Sequence, residues 1–150
     1  MSGVVILLYT FQERFDLGNN RFVIVNRYNG AILIHIRQFE KFGEKLYPTK
    51  QGITLNTQQF RFFIDILDEI NRDVQDIFNN KSLSNFKYNI GEGVYVTANV
   101  NFPMVHVRRF FQVENMPVEM PTKKGIALRL KEWDALVKFA EEVKVLVNLL

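Results

Sequence analysis

Two stretches of this 150-residue chain carry the same motifs in the same order. Ile34-His35-Ile36-Arg37-Gln38-Phe39 matches Val105-His106-Val107-Arg108-Arg109-Phe110, 71 residues later. Pro48-Thr49-Lys50-Gln51-Gly52-Ile53-Thr54-Leu55 matches Pro121-Thr122-Lys123-Lys124-Gly125-Ile126-Ala127-Leu128 at an offset of 73, and Phe60 meets Trp133 at that same offset. Upstream, Phe15-Asp16-Leu17-Gly18 resembles Tyr88-Asn89-Ile90-Gly91, again at 73. The second copy therefore has a hairpin shorter by two and a later loop longer by two. Length changes confined to loops are what a structural duplication leaves behind.

Each copy reads as four strands followed by a helix. Phe22-Val23-Ile24-Val25 is a β-branched strand, Asn29-Gly30 is a two-residue hairpin signal, and Ile32 to Phe39 returns. After an expected turn at Lys50-Gln51-Gly52 comes a short strand, Ile53-Thr54-Leu55. Asn56 has the chemistry of an N-cap, with Gln59 placed to complete a capping box. Phe60, Phe63, Ile64, Leu67, Val74, Ile77 and Phe78 then recur at helical spacing over about 20 residues, as do Trp133, Leu136, Val137, Ala140, Val143 and Val147. Arg129 replaces Asn56 in the second copy, so a weaker helix start is expected there. The predicted fold class is α+β, with ββββα units over 1–79 and 80–150. A unit of about 65 residues buries too small a core to stand comfortably alone. The two are therefore expected to pair within the chain as a pseudo-dimer, with curved antiparallel sheets outside and helices in the middle.

Composition removes several functional classes. The chain has no cysteine and two histidines, which argues against disulfides, thiolate chemistry and a metal cluster; no metal site and no cofactor are expected. No Walker, G-x-S-x-G or H-E-x-x-H pattern occurs, and no nucleophile, base and orienter can be assembled, so the chain is not read as an enzyme. Asp65, Asp68, Glu69, Asp73 and Asp76 read as the solvated face of a helix. The apolar run Val4–Tyr9 lacks the flanks of a signal peptide and the length of a membrane span. It reads as an extra strand or a contact for another subunit. With the apolar end Val145–Leu150 it offers surface for further homodimerisation. No membrane partner is expected, and the chain is read as intracellular rather than secreted.

Charge is sorted along the chain. Residues 1–56 hold seven Lys/Arg against four Asp/Glu, and residues 80–129 hold seven against three. The helical stretches 57–79 and 130–150 hold two against five and three against four. Basic sheets and acidic helices suit a sheet that binds an anion. If Ile34 and Ile36 face the core, His35, Arg37 and Phe39 share the other face, and His106, Arg108 and Phe110 do the same. Arginines that meet phosphates, interleaved with rings that stack on bases, are the pattern of single-strand binding. Lys50, Lys123 and Lys124 beside a glycine can converge with backbone N–H groups on phosphate. Each has a plainer alternative: a histidine bonded across the sheet, a Phe closing a core edge, a lysine solvating a turn.

Phe15-x-Leu17-Gly18-x-x-Arg21-Phe22-Val23-x-Val25, then Gly30-x-Ile32-Leu33-Ile34-x-Ile36-Arg37, then Lys50-Gln51-Gly52-Ile53-x-Leu55-Asn56, resembles the transcriptional coactivator positive cofactor four family, that of the yeast Sub-one protein. The resemblance covers residues 15–79 and, more weakly, 88–147. It implies dimer-like curved sheets that bind single-stranded or melted DNA in basic, aromatic-lined channels. By position it assigns the hairpin aromatic to Tyr28, the strand arginine to Arg37 and Arg108, the strand-end aromatics to Phe39, Phe110 and Phe111, and the basic turn to Lys50, Lys123 and Lys124. Glu40 stands where that family has an aromatic and Gln51 where it has Lys, whereas the second copy keeps Phe111 and Lys124 but lacks a Tyr28 counterpart.

The expected function is binding of single-stranded DNA with little sequence preference, in transcription, replication or repair, through one dominant channel built mainly from the second copy. The expected location is the nucleus or another site of replication or transcription, with transcription or replication proteins as further partners. Binding of RNA or melted duplex is the nearest alternative, and a protein-interaction module without nucleic-acid affinity is the rival of another class.

Overall fold

The computed structural model describes residues 11–82 and 84–150, with residues 11 and 12 in backbone only. The run Val4–Tyr9 lies outside the described residues. In chain order the elements are β1 (Phe11–Gly18), β2 (Arg21–Tyr28), β3 (Ala31–Phe42), β4 (Lys45–Leu55), α1 (Thr57–Asp65) and α2 (Leu67–Phe78). The second copy supplies β5 (Phe86–Gly91), β6 (Val94–Asn99), β7 (Phe102–Gln112), β8 (Glu119–Leu128) and α3 (Leu130–Leu149). Strands β1 to β4 form one antiparallel meander and β5 to β8 another, each followed by helix: two ββββα units, α+β as expected. Registers match between copies. Ile34 pairs Leu55 as Val105 pairs Leu128, and Phe39 pairs Pro48 as Phe110 pairs Pro121. Asn29 (φ 50°) and Gly30 (φ 81°) both take the left-handed conformation that the expected two-residue hairpin requires.

The inner faces of both sheets and all three described helices share one hydrophobic core. Val23, Val25, Ile34 and Ile36 of the first sheet and Val94, Val96, Val105 and Val107 of the second are all buried in it, as period-two alternation requires. Fully burying one such side chain contributes about 1.5–3 kcal/mol. Trp133 is wholly buried, meets Phe63 edge-on at 6.1 Å, and donates from Nε1 to Asn71 Oδ1 at 2.9 Å. The starts of α1 and α3 also reach the other unit. Gln59 Nε2 donates to the Gly91 carbonyl at 2.9 Å, and Glu132 accepts from Asn19 Nδ2 and Arg21 Nη1 at 2.5 Å each. Gln59 and Glu132 are the same position in the two copies, and each closes onto the first hairpin of the opposite unit.

Two local expectations change, the unbroken first-copy helix and the lysine–glycine turns, while the Asn56 cap holds. The first-copy helix is two segments, α1 and α2, broken at Ile66 (φ −108°, ψ 7°), although the apolar spacing runs through the break. The Asn56–Gln59 capping box forms in full, with Gln59 N–H donating to Asn56 Oδ1 and Asn56 N–H to Gln59 Oε1. Arg129 gives no side-chain cap, yet its N–H donates to Glu132 Oε1 at 2.9 Å, so half of the box survives. Lys50-Gln51-Gly52 and Lys123-Lys124-Gly125 are not turns. They lie within β4 and β8, while the chain reverses earlier, at Gly43-Glu44 and at 113–118. A glycine beside lysines reads as a turn from sequence; here it serves a close packing contact instead.

Candidate nucleic-acid interface

That contact organises the outer face of each sheet. Both β3–β4 and β7–β8 slip register just past the arginine, which leaves Thr49-Lys50-Gln51 and Thr122-Lys123-Lys124 as bulges. Thr49 Oγ1 donates to the Gln38 carbonyl and Thr122 Oγ1 to the Arg109 carbonyl, both at 2.8 Å, which pins the bulges to the neighbouring strand. Arg37 Nη1 donates to the Thr49 carbonyl at 2.9 Å and Arg108 Nη1 to the Thr122 carbonyl at 3.1 Å. Each arginine thus lies flat across a glycine. A Cβ on Gly52 would sit 2.8 Å from Arg37 Cγ, and one on Gly125 2.7 Å from Arg108 Cγ. The repeated Arg and the repeated Gly are two halves of one packing arrangement, and the lysines are held outward by it.

The outer face of the first sheet is filled by its own side chains. Phe39 is 1 % exposed, meets Phe22 edge-on at 5.1 Å, and forms a small cluster with Ile24 and the partly buried Leu46. The expectation that Phe39 offers a ring to a base is therefore corrected: apolar neighbours at 22, 24 and 46 close over it. His35 is 7 % exposed and bonds Thr54 Oγ1 at 2.8 Å and Asn26 Oδ1 at 3.2 Å. Burial, helped by the Arg37 charge, lowers its pKa from 6.5 to about 4. His35 is thus neutral in the fold where an unfolded chain would protonate it, so its contribution to stability is present above pH 6.5 and falls as pH drops toward 4. Denaturant melts at pH 7 and pH 5 test this: His35→Gln should flatten the loss of stability between them. Tyr28, at the end of β2, is 38 % exposed and lines neither of the two hollows described next.

On the second sheet the same face is open. A hollow of about 440 Å³ is lined by Asn85, Phe86, Lys87, Thr97, Ala98, Asn99, His106, Arg108, Phe110 and Pro121. Thr97 replaces Ile24, Tyr95 replaces Phe22 and Glu119 replaces Leu46, so the apolar plug is gone and Phe110 is only half-buried. Ala127 stands where Thr54 bonds His35, and no hydrogen bond is made by the His106 ring among the described residues. Burial and the Arg108 charge lower the His106 pKa. A second hollow of about 430 Å³ lies between the units, lined by Arg21, Lys50 and Gln51 of the first and Arg108, Lys123, Gly125, Ile126 and Ala127 of the second. Arg108 lines both hollows, so ring-bearing and cation-bearing surfaces are continuous there. Lys124 is exposed on the bulge beside Lys123 and lines neither. Phe111, one residue beyond Phe110, is on the opposite side of β7, 52 % exposed, and joins neither hollow.

The sequence matches the family described as Transcriptional Coactivator p15 (PC4) over residues 15–66 and again over 99–139, together well over half of the chain. The chain belongs to that family. The two segments hold all eleven residues singled out from sequence, from Tyr28 to Lys50 in the first and from His106 to Lys124 in the second. Among curated proteins the chain is similar to a putative RNA polymerase II transcriptional coactivator of Neurospora crassa, 31 % identical over 41 % of this chain and 36 % of that protein. It is also similar to a protein of the same description from Caenorhabditis elegans, 29 % identical over 40 % of this chain and 50 % of that one. The matches thus span half or less of either relative.

Sequence reasoning gave no role to Arg21, which it quoted in the family pattern, and passed over Lys87 and Tyr95. Lys87 and Tyr95 fall between the two segments matched to the PC4 family. A signal existed: Arg14 and Phe22 sit 73 residues before them, and in both copies the cation lies over the ring, Arg14 at 5.3 Å from the Phe22 centroid and Lys87 at 4.3 Å from that of Tyr95.

Proposed function

We propose that this PC4-family chain is a single-stranded DNA-binding protein of the transcription apparatus, with little sequence specificity and one dominant channel. The observation that carries the reading is the contrast between the sheets: the second has an open hollow holding Phe110, His106 and Arg108, and the first has Phe39 sealed under Phe22 and Ile24. Bases stack on Phe110, and the backbone passes Arg108 into the cleft where Lys50 and Lys123 meet phosphates. The putative coactivator descriptions of the fungal and nematode relatives support a role in transcription rather than replication, beside other transcription proteins and in the compartment where transcription takes place. The units 1–79 and 80–150 act as the two halves of a pseudo-dimer, which the reciprocal contacts of Gln59 and Glu132 support.

Fluorescence anisotropy with a labelled mixed-sequence oligonucleotide tests the reading. Affinity should fall with salt at a log–log slope near −0.7 per phosphate neutralised. Blunt duplex should bind more weakly, because paired bases cannot stack on Phe110. Equal affinity for duplex and single strand would refute the channel, and no affinity for either would favour a protein-interaction module. A matched RNA competitor decides the sugar preference.

A further inference from the structure

The Phe110 ring in the open hollow is already covered. Lys87 Nζ lies 4.4 Å from its centroid and 4.3 Å from that of Tyr95, the two rings meeting edge-on at 5.1 Å. Glu119 Oε1 is 3.6 Å from the same ammonium, and the Tyr95 hydroxyl donates to both Glu119 oxygens at 2.8 and 2.9 Å. A base cannot stack on the ring face that the ammonium occupies. The first sheet keeps the cation over a ring, Arg14 over Phe22, but Leu46 stands in the place of Glu119, so no carboxylate holds the cation there. A carboxylate on an otherwise basic, ring-lined face works against anion binding unless it holds something in place. Lys87 and Glu119 keep 41 % and 32 % of their side-chain surface, so their pairing is weak and exchangeable.

From this geometry we infer that Lys87 is a nucleic-acid-binding residue held in reserve by Glu119. In the free protein Glu119, itself fixed by Tyr95, keeps Lys87 over Phe110. A single strand exchanges that carboxylate for a backbone phosphate; Lys87 moves to the phosphate and the uncovered ring takes a base. The inference rests on the single-strand reading above and adds to it a residue, a restraint and an order of events. The acid lowers affinity in exchange for shielding the ring when no strand is present.

A double-mutant cycle on the full chain tests it, using Glu119→Gln, Lys87→Ala and the pair, with anisotropy on one oligonucleotide at several salt concentrations. Glutamine still accepts from the Tyr95 hydroxyl, so the ring geometry is kept. Glu119→Gln should tighten binding about two- to fivefold, the range of an exposed ion pair. Lys87→Ala should make the salt slope shallower by about 0.7. The gain from Glu119→Gln should vanish in the Lys87→Ala background. Should the gain persist there undiminished, Glu119 acts only as a general negative charge and the inference is overturned; an unchanged salt slope in Lys87→Ala overturns it as well. Failure of the wild-type chain to bind any single strand sinks the functional reading instead, which the same titration reveals.

Discussion

Replacing Phe110 by alanine is expected to weaken single-strand binding roughly tenfold or more, since one stacking aromatic contributes about 1–3 kcal/mol. The expectation is specific to this ring. Phe110 lines the open hollow on the same strand as His106 and Arg108, whereas Phe39 is sealed in the matching place. Phe111→Ala should cost less than Phe110→Ala, because Phe111 stands on the other side of β7. Glu40→Ala should leave affinity unchanged or slightly higher, as an exposed acid lost from the sheet whose outer face is filled by Phe22, Ile24 and Leu46. Titration should saturate at one strand per chain. Two equal sites, or a Phe110→Ala variant that binds like wild type while its thermal melt shows it folded, would dismiss a single channel in the second unit.

The repeat makes the architecture legible in the sequence. Offsets of 71 and 73 fixed which strands correspond, and the alternation around Ile34 and Val105 fixed which faces turn inward. The sequence also pointed to unequal sheets, through Glu40 and Gln51. The structural inequality lies elsewhere, in Phe22, Ile24 and Leu46 against Tyr95, Thr97 and Glu119. In each copy those positions come from two strands, β2 and β4 or β6 and β8, that flank the strand carrying Phe39 or Phe110. Only their convergence over Phe39 or Phe110 decides whether a ring is sealed or open, and period-two reasoning on one strand cannot show it. The lysine-rich segments were misplaced for a related reason. Local composition around Gly52 and Gly125 resembles a turn, but what needs the glycine is an arginine from the next strand lying across it. The break at Ile66 has no proline or glycine to announce it.

The largest effect on stability is expected at Glu132. This carboxylate is fully buried, accepts from Arg21 and Asn19 of the opposite unit, and also takes the Arg129 N–H that starts α3. Burial pushes its pKa up, and the bonds from Asn19, Arg129 and Arg21 together outweigh burial and hold the carboxyl below its ordinary value. Removing one partner of a buried pair leaves the other uncompensated, which costs about 3–5 kcal/mol. Glu132→Ala should therefore lower the denaturation midpoint sharply at pH 7. Glu132→Gln is the more telling variant, because Gln59 holds that position in the first copy and bonds a carbonyl there rather than a guanidinium. It keeps the shape but leaves Arg21, only 17 % exposed in its side chain, facing a neutral amide. Since the folded-state pKa is lowered, the stabilisation is complete above the ordinary carboxylate range and is lost as pH falls through the folded value. The stability gap between wild type and Glu132→Gln should be widest near neutrality and close in acid, below the window in which His35 acts. A gap that stays constant down to pH 3 would mean that the charge on Glu132 does not tie the two units together.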